Sequence, residues 1–212
     1  QETGYDSGST LDYVYQNQSQ GTNAFGRLVD KNYLNAIGWR GIRQRKANIA
    51  KAINLAMTKL REVGKPVDVL DIASGHGRYV LDALTAENHP DSVRLRDYSS
   101  INVAAGRKLI AERGLQEIVS FDEVNAFDPA NYQALTPRPT LGIVSGLHEL
   151  FADNDLIMHS LNGFGTVIET GGYLIYTGQP WHPQLELIAR CLTSHKEGSP
   201  NWVMRRRSQQ DM

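Results

Sequence analysis

Two hydrophobic periods alternate along this chain. From Gly41 to Val63, the apolar residues Ile42, Ile49, Ile53, Ala56 and Leu60 return at helical spacing among Arg, Lys and Asn, which predicts a surface helix with one packed face. Beyond it, short apolar runs predict strands at Val67–Ile72, Val93–Arg96, Val119–Val124, Leu141–Ser145 and Tyr173–Thr177. Helical spacing between them predicts helices from about Arg78 to Leu84, at Ile101–Arg113 and at Leu156–Ile168. Strands that alternate with helices imply an α/β fold whose parallel sheet is covered on both faces. A further helix carries Leu185, Ile188, Ala189 and Leu192, and "NWVMRRR" reads equally as strand or loop. Residues 1 to 38 are polar, with Gly, Ser, Asn and Gln among scattered aromatics, and predict loops with one or two short helical pieces. The expected organisation is a cover segment over residues 1–40 and a ligand-binding α/β domain over residues 41–212.

At 212 residues the chain suits one main domain, and 41% hydrophobic with 21% charged residues is ordinary globular composition. No apolar run approaches the roughly 20 residues of a membrane-spanning helix, so no transmembrane segment is expected. A formal net charge of −1 gives no global pull toward nucleic acid or anionic lipid. Cys191 is the sole cysteine, which excludes an internal disulfide and fits a reducing, cytoplasmic setting. His76, His89, His159 and His195 make no metal-ligand spacing, and no metal is expected. The chain opens on Gln1 without the features of a signal peptide, and Ser208 to Asp211 has the form of a helix start, so it reads as an excerpt.

Chemistry concentrates in "VDVLDIASGHGRYVLDAL", residues 67 to 84. In an open parallel sheet the ligand crevice lies beyond the carboxyl ends of the strands. Asp71 ends the first strand there, Gly75 and Gly77 let the backbone approach a ligand, and the next helix start offers free N–H groups. The plainer alternative is that both glycines serve only a tight turn. Asp97 ends the second strand, where a carboxylate is placed to hold a ribose diol. A dinucleotide fingerprint needs glycines where Ala73 and Val80 stand, which weakens an NAD-dependent oxidoreductase reading. A nucleoside bearing an amino-acid tail, such as S-adenosyl-L-methionine, would use the loop backbone and Asp71 for its tail.

"VLDIASGHGRYVLDAL", "LRDYSSINVAAGRKLIAERGL", "NAFD" and "GGYLIYTGQPWHPQLELIARCLTSH" together resemble a class I S-adenosylmethionine-dependent methyltransferase. The likeness is to a bacterial methyltransferase family whose domain often follows an α/β-hydrolase domain in one polypeptide. It implies a Rossmann-like, doubly wound parallel sheet in the order 3-2-1-4-5, with S-adenosyl-L-methionine as cofactor and a fused or adjacent hydrolase domain as partner. It also implies that Asp71, Ala73, Gly75, His76 and Gly77 surround the methionine part, Asp97 with Tyr98 the ribose, and Asn125 with Ala126 the adenine. Ser145, Gly146 and Leu147 would line the methyl-transfer side. Two departures stand out. Ala73 replaces the usual first glycine of the loop, acceptable at negative φ, and only five of the usual seven strands can be counted, so the edge hairpin is expected to be missing here.

Methyl transfer needs a base only when the acceptor arrives protonated, and His148, Glu149, Tyr98 and His182 are the candidates. For His148 a purely structural role is the competing reading. Trp181 and His182, in "QPWHPQ", are expected to face the transferable methyl, with Tyr15, Tyr33 and Arg43 closing the acceptor pocket from above. Arg40, Arg43, Arg45 and Lys46, like "RRR" at 205 to 207, could bind an anion or simply be solvated. "SGLHE" after the fourth strand lacks the signature of base-amine methyltransferases, so a small-molecule or lipid-like acceptor is expected rather than nucleic acid. A non-catalytic cofactor-binding module is the other reading the residues leave open.

Overall fold

The computed structural model describes residues 4–85, 88–133, 135–198 and 200–212. Five strands, β1 (Asp68–Ile72), β2 (Ser92–Asp97), β3 (Val119–Glu123), β4 (Leu141–Val144) and β5 (Tyr173–Tyr176), form one sheet in the order β3-β2-β1-β4-β5. Every pairing is parallel, with Val69 opposite Val93 on one side and Leu141 on the other. β1 and β4 are buried along their whole length, which is why they read as unbroken apolar runs. Alternation of side chains across the central strand splits the core in two. Val69 joins Ile53, Met57 and Leu60 on one face, while Leu70 and Ile72 join Val144, Phe164 and Val167 on the other.

The first face is covered by α3 (Ile37–Glu62), α4 (Arg78–Leu81) and α5 (Ser100–Glu112), the second by α6 (Asn154–Val167). α3 starts four residues before the predicted Gly41. α4 stops at Leu81 rather than Leu84, because the chain tightens there, Ala83 N–H reaching Val80 O at 2.9 Å. The polar amino-terminal stretch forms two helices, α1 (Gly8–Gln16) and α2 (Ala24–Leu34), each started by a side-chain cap, Ser7 onto Thr10 N–H and Asn23 onto Gly26 N–H. A third apolar cluster, Val14, Leu34 and Trp39 with Tyr5, Tyr33 and Trp202, brings α1, α2 and the start of α3 against the carboxyl-terminal segment.

After α7 (Leu185–Cys191) the chain makes an antiparallel bridge between Thr193 and Asn201, and "NWVMRRR" forms no strand of the sheet. Ser208 to Asp211 closes as a turn, Asp211 accepting the Ser208 N–H at 2.7 Å, where a helix start was expected. Among the described residues no strand pairs with the outer side of β5.

Candidate functional site

Ser74 stitches the loop after β1 to the backbone of β2. Ser74 N–H donates to Arg96 O at 3.0 Å, the Ser74 hydroxyl donates to Asp71 O at 3.1 Å, and Arg96 N–H returns to that hydroxyl at 3.1 Å. Ala73 has φ 58°, which corrects the expectation of a negative value. A methyl-bearing residue thus holds the left-handed conformation, at a cost of about 1–2 kcal/mol that the stitching must offset. Gly75 (φ 58°) faces the start of α1, where a Cβ would lie 3.4 Å from Gly8 Cα. Gly77 (φ 73°) faces the core instead, for a Cβ there would lie 2.5 Å from Leu95 Cδ1. Its glycine is required by packing on β2 as well as by the turn.

Asp97 closes the loop from the neighbouring strand. Its Oδ2 accepts the Gly75 N–H at 2.9 Å, and its Oδ1 accepts the Ser99 N–H at 2.9 Å and the Asn102 amide at 3.0 Å. Burial pushes its carboxyl above the usual range despite these three donors. Asp71 is fully buried beneath the loop, with Tyr79 OH donating to Oδ1 and no partner on Oδ2. Burial holds its pKa at about 7.

These strand ends open on a cavity of about 680 Å3, inside the roughly 300–1,000 Å3 of small-molecule sites. Its walls include Ala73, Gly75, His76, Asp97, Tyr98, Asn125, Ala126, Ser145, Gly146 and Leu147, gathered from the loops after four strands. Asp71 and Gly77 are not on the wall, and support the loop from behind. The far side is aromatic, Phe127 meeting Phe151 edge-on with centroids 4.8 Å apart.

Several residues on this wall were not anticipated. α1 lies over the glycine loop, clamped by the buried Asp12, whose carboxylate receives Arg78 through Nε and Nη2 and Gln16 Nε2 at 2.6 Å. Burial opposes ionisation of Asp12, but His76, 3.5 Å away, and Arg78 outweigh it and hold the carboxyl far below the usual range. Ser9 Oγ meets His76 Nε2 at 3.2 Å. From the other terminus His195 and Lys196 join the wall, fixed by Asp6, which accepts Ser194 Oγ at 2.6 Å, His195 N–H at 2.7 Å and pairs with His195 Nδ1 at 2.8 Å. Lys196 also donates to Leu150 O and sits 4.0 Å above the Phe151 ring. A carboxylate in the first helical turns of a polar segment carries no sequence signal of such a role.

The residues assigned to the acceptor do not form one group. Tyr15 lines the cavity just described, whereas Tyr33, Trp181 and His182 line a second one of about 990 Å3 between α3, β5 and the 178–184 loop. The two cavities share Leu11, Gly146 and Leu150. Arg43 lines neither, because its guanidinium is spent on Leu34 O at 2.8 Å, tying α3 to the end of α2. Arg45 and Lys46 are likewise paired, with Glu149 and Asp82, rather than simply solvated. Arg207 is buried, bonded to His148 O at 2.8 Å and to Asn154 Oδ1.

Of the candidate bases, His148 is withdrawn from both cavities, 2% exposed, with Nε2 on Ser160 Oγ at 3.3 Å. Burial lowers its pKa to about 4. Tyr98 stands at the cavity mouth, its phenol pushed up by burial and by the Asp97 and Asp6 carboxylates, so it remains protonated at neutral pH. His182 accepts the Gln184 N–H on Nδ1 at 3.0 Å, which places the proton of the neutral ring on Nε2 and makes it a donor.

A five-stranded parallel sheet in this order, with a loop and a carboxylate at the ends of its two middle strands, defines a Rossmann-like class of ligand-binding α/β proteins. Within that class the chain belongs to the family described as "Putative methyltransferase", which matches it over residues 1–212. It is 61% identical over 210 residues to the uncharacterized protein YnbC of Escherichia coli K12, covering 99% of this chain and 36% of that protein. The chain therefore spans about a third of that relative's length. Among solved structures, a protein of Bordetella parapertussis described as a possible exported protein superposes with a TM-score of 0.65 at 16% identity, over 84% of this chain and 56% of that one. An O-methyltransferase family protein from Burkholderia thailandensis gives 0.50 at 16% identity, over 76% and 49%. These two likenesses establish the fold. No helix among the described residues is long and apolar enough to cross a membrane.

Proposed function

We propose that this chain is an S-adenosyl-L-methionine-dependent methyltransferase acting on a small-molecule acceptor, with residues 41–212 as the binding domain and residues 1–40 as its cover. The observation that carries the reading is the single cavity that gathers the Ala73–His76 loop, Asp97, Asn125 with Ala126, and Ser145 to Leu147. The residues fit such a cofactor. Gly75 leaves its cradle free of a side chain, Asp97 Oδ2 keeps one acceptor position open, and Ala126 and Phe127 offer an apolar surface for a flat base. When bound, the cofactor would supply an electrophilic methyl group on a sulfonium. The chain's own part is to orient and to exclude water: α1 and the His195–Lys196 segment cover the cavity, and Gly146 brings bare backbone to the side shared with the second cavity. Asp71 and Asp97 fix the loop that Gly75 presents.

The length of YnbC beyond the matched region leaves room for the neighbouring α/β-hydrolase domain that the family resemblance suggests, and the exposed, unpaired Cys191 suits a cytoplasmic setting. Calorimetry tests the reading directly. S-adenosylhomocysteine should bind one per chain and NADH not at all, and Gly75→Val should abolish that binding while circular dichroism stays unchanged. NADH binding without S-adenosylhomocysteine binding would make the chain an oxidoreductase relative. Cofactor binding with no turnover of any acceptor supplied to the intact protein would favour a non-catalytic module.

A further inference from the structure

The second cavity has a composition that selects its occupant. At about 990 Å3 it stands at the upper end of small-molecule sites. One wall is a run of aromatic rings, Tyr33 against Trp39 at 5.7 Å between centroids and Trp39 stacked on Trp202 at 6.3 Å. Ile42, Ile49, Ile175 and Leu187 add aliphatic surface. Among its described walls Arg45 pairs with Glu149 at 2.9 Å, and the Asp6 carboxylate is engaged by Ser194 Oγ and by the His195 N–H and ring. Among these described residues no unpaired cation is left to hold a phosphate or a carboxylate, and both Asp6 oxygens are already accepting hydrogen bonds within the protein.

The polar groups left over are equally specific. Arg45 Nε, Glu149 Oε2 and Trp202 Nε1 are buried without a hydrogen-bond partner. Such orphans are rare in folded proteins and call for a missing partner. Arg45 Nε is a donor and Glu149 Oε2 an acceptor within one ion pair, so a group that satisfies both must accept and donate, as a hydroxyl does. The Arg45–Glu149 pair also stands where the cavities meet, since a Cβ on Gly146 would lie 3.0 Å from Arg45 Nη2. α3, by contrast, presents Gly38 and Gly41 at the cavity mouth. A Cβ on Gly41 would meet nothing within 4 Å, so the opening is kept clear.

We propose that this second cavity is the acceptor chamber, and that it takes an uncharged, largely apolar molecule whose hydroxyl group lies at the Arg45–Glu149 pair beside Gly146. Its role as acceptor rests on the methyltransferase reading; its binding does not. The chain's three tryptophans, Trp39, Trp181 and Trp202, all line the chamber, so occupancy is readable in their emission. The neutral aromatic probe N-phenyl-1-naphthylamine should quench that emission saturably. Gly41→Phe, which fills open space from a helix and should leave the melting temperature unchanged or raised, should weaken the probe by about tenfold or more while leaving S-adenosylhomocysteine affinity within about threefold. 4-Pentylphenol should displace the probe at concentrations about tenfold lower than pentylbenzene or 4-pentylbenzoate, because a site built for a hydroxyl is left with unpaired polar groups by the others. No saturable quenching, quenching indifferent to Gly41→Phe, or equal displacement by all three compounds would overturn the proposal. Failure of S-adenosylhomocysteine to bind, with probe binding still sensitive to Gly41→Phe, would remove the methyl-transfer reading and leave the chamber standing.

Discussion

Asp97→Asn is the most informative single change, because Asp97 serves the fold and, under the proposed function, the ligand as well. The carboxylate accepts from Gly75 N–H, Ser99 N–H and the Asn102 amide, so both oxygens are already in use. Asparagine keeps one oxygen. If that oxygen stays with Ser99 and Asn102, the new NH2 opposes the Gly75 N–H, and one charge-assisted bond worth about 1.5–3 kcal/mol is lost. The neutral side chain recovers part of the burial cost that pushes the acid's pKa up. A net loss of about 1–3 kcal/mol remains, a fall in melting temperature of roughly 2–12 °C for a domain of this size. On the ligand side, Oδ2 has one acceptor position left, enough for one ribose hydroxyl rather than both. Its loss should weaken S-adenosylhomocysteine by roughly 10- to 150-fold. Thermal melting without ligand and calorimetry below the melting range separate the two effects. A variant that melts early but binds like the parent would refute the ribose assignment; one that melts like the parent would refute the hydrogen-bond argument.

Two further outcomes follow from the same geometry. His148, whose folded pKa of about 4 lies below the ordinary 6.5, contributes stability that is present above about pH 6.5 and lost as pH falls through 4. Urea unfolding at pH 7.5 and 4.5 should therefore show the parent losing roughly 2–3 kcal/mol more than His148→Gln, and equal losses would contradict a buried neutral ring. Gly77→Ala should destabilise more than Gly75→Ala, since both glycines have positive φ but only Gly77 would drive a Cβ into Leu95; melting curves in the reverse order would count against this packing.

The sheet was legible because its evidence is local. Strands β1 and β4 are buried on both faces, so each announces itself as an apolar run, and Ile49, Ile53, Ala56 and Leu60 mark the packed face of α3 within the helix itself. The glycine loop and Asp97 were legible for a similar reason, since the position at a strand end carries the meaning. What escaped depends on partners far away in sequence. Arg45 reads as a solvated helix charge until Glu149, 104 residues later, arrives beside it. Asp12 reads as one more polar residue until Arg78 does, and Asp6 meets Ser194 across 188 residues. Nothing in the pattern separates Tyr15 from Tyr33, although α1 puts the first in one cavity and α2 puts the second in the other.

The long-range pairs have a shared location, and that bears on how the site works. Asp12–Arg78 and Ser9–His76 bind α1 to the glycine loop, Asp6–His195 binds the chain's beginning to the segment near its end, and Lys196 carries that segment onto Leu150. Each contact joins a cover element to a wall of the first cavity. None of them belongs to the sheet or to the two cores that stabilise it. The arrangement therefore separates stability from access: the apolar cores fix the strand ends, and a few buried polar contacts, worth about 1–3 kcal/mol each, hold the cover. Contacts of that size can open on the timescale of ligand exchange without unfolding the domain. Gly146 lies on the wall common to both cavities, so under the proposed function it marks the place where cofactor and acceptor would meet beneath this cover.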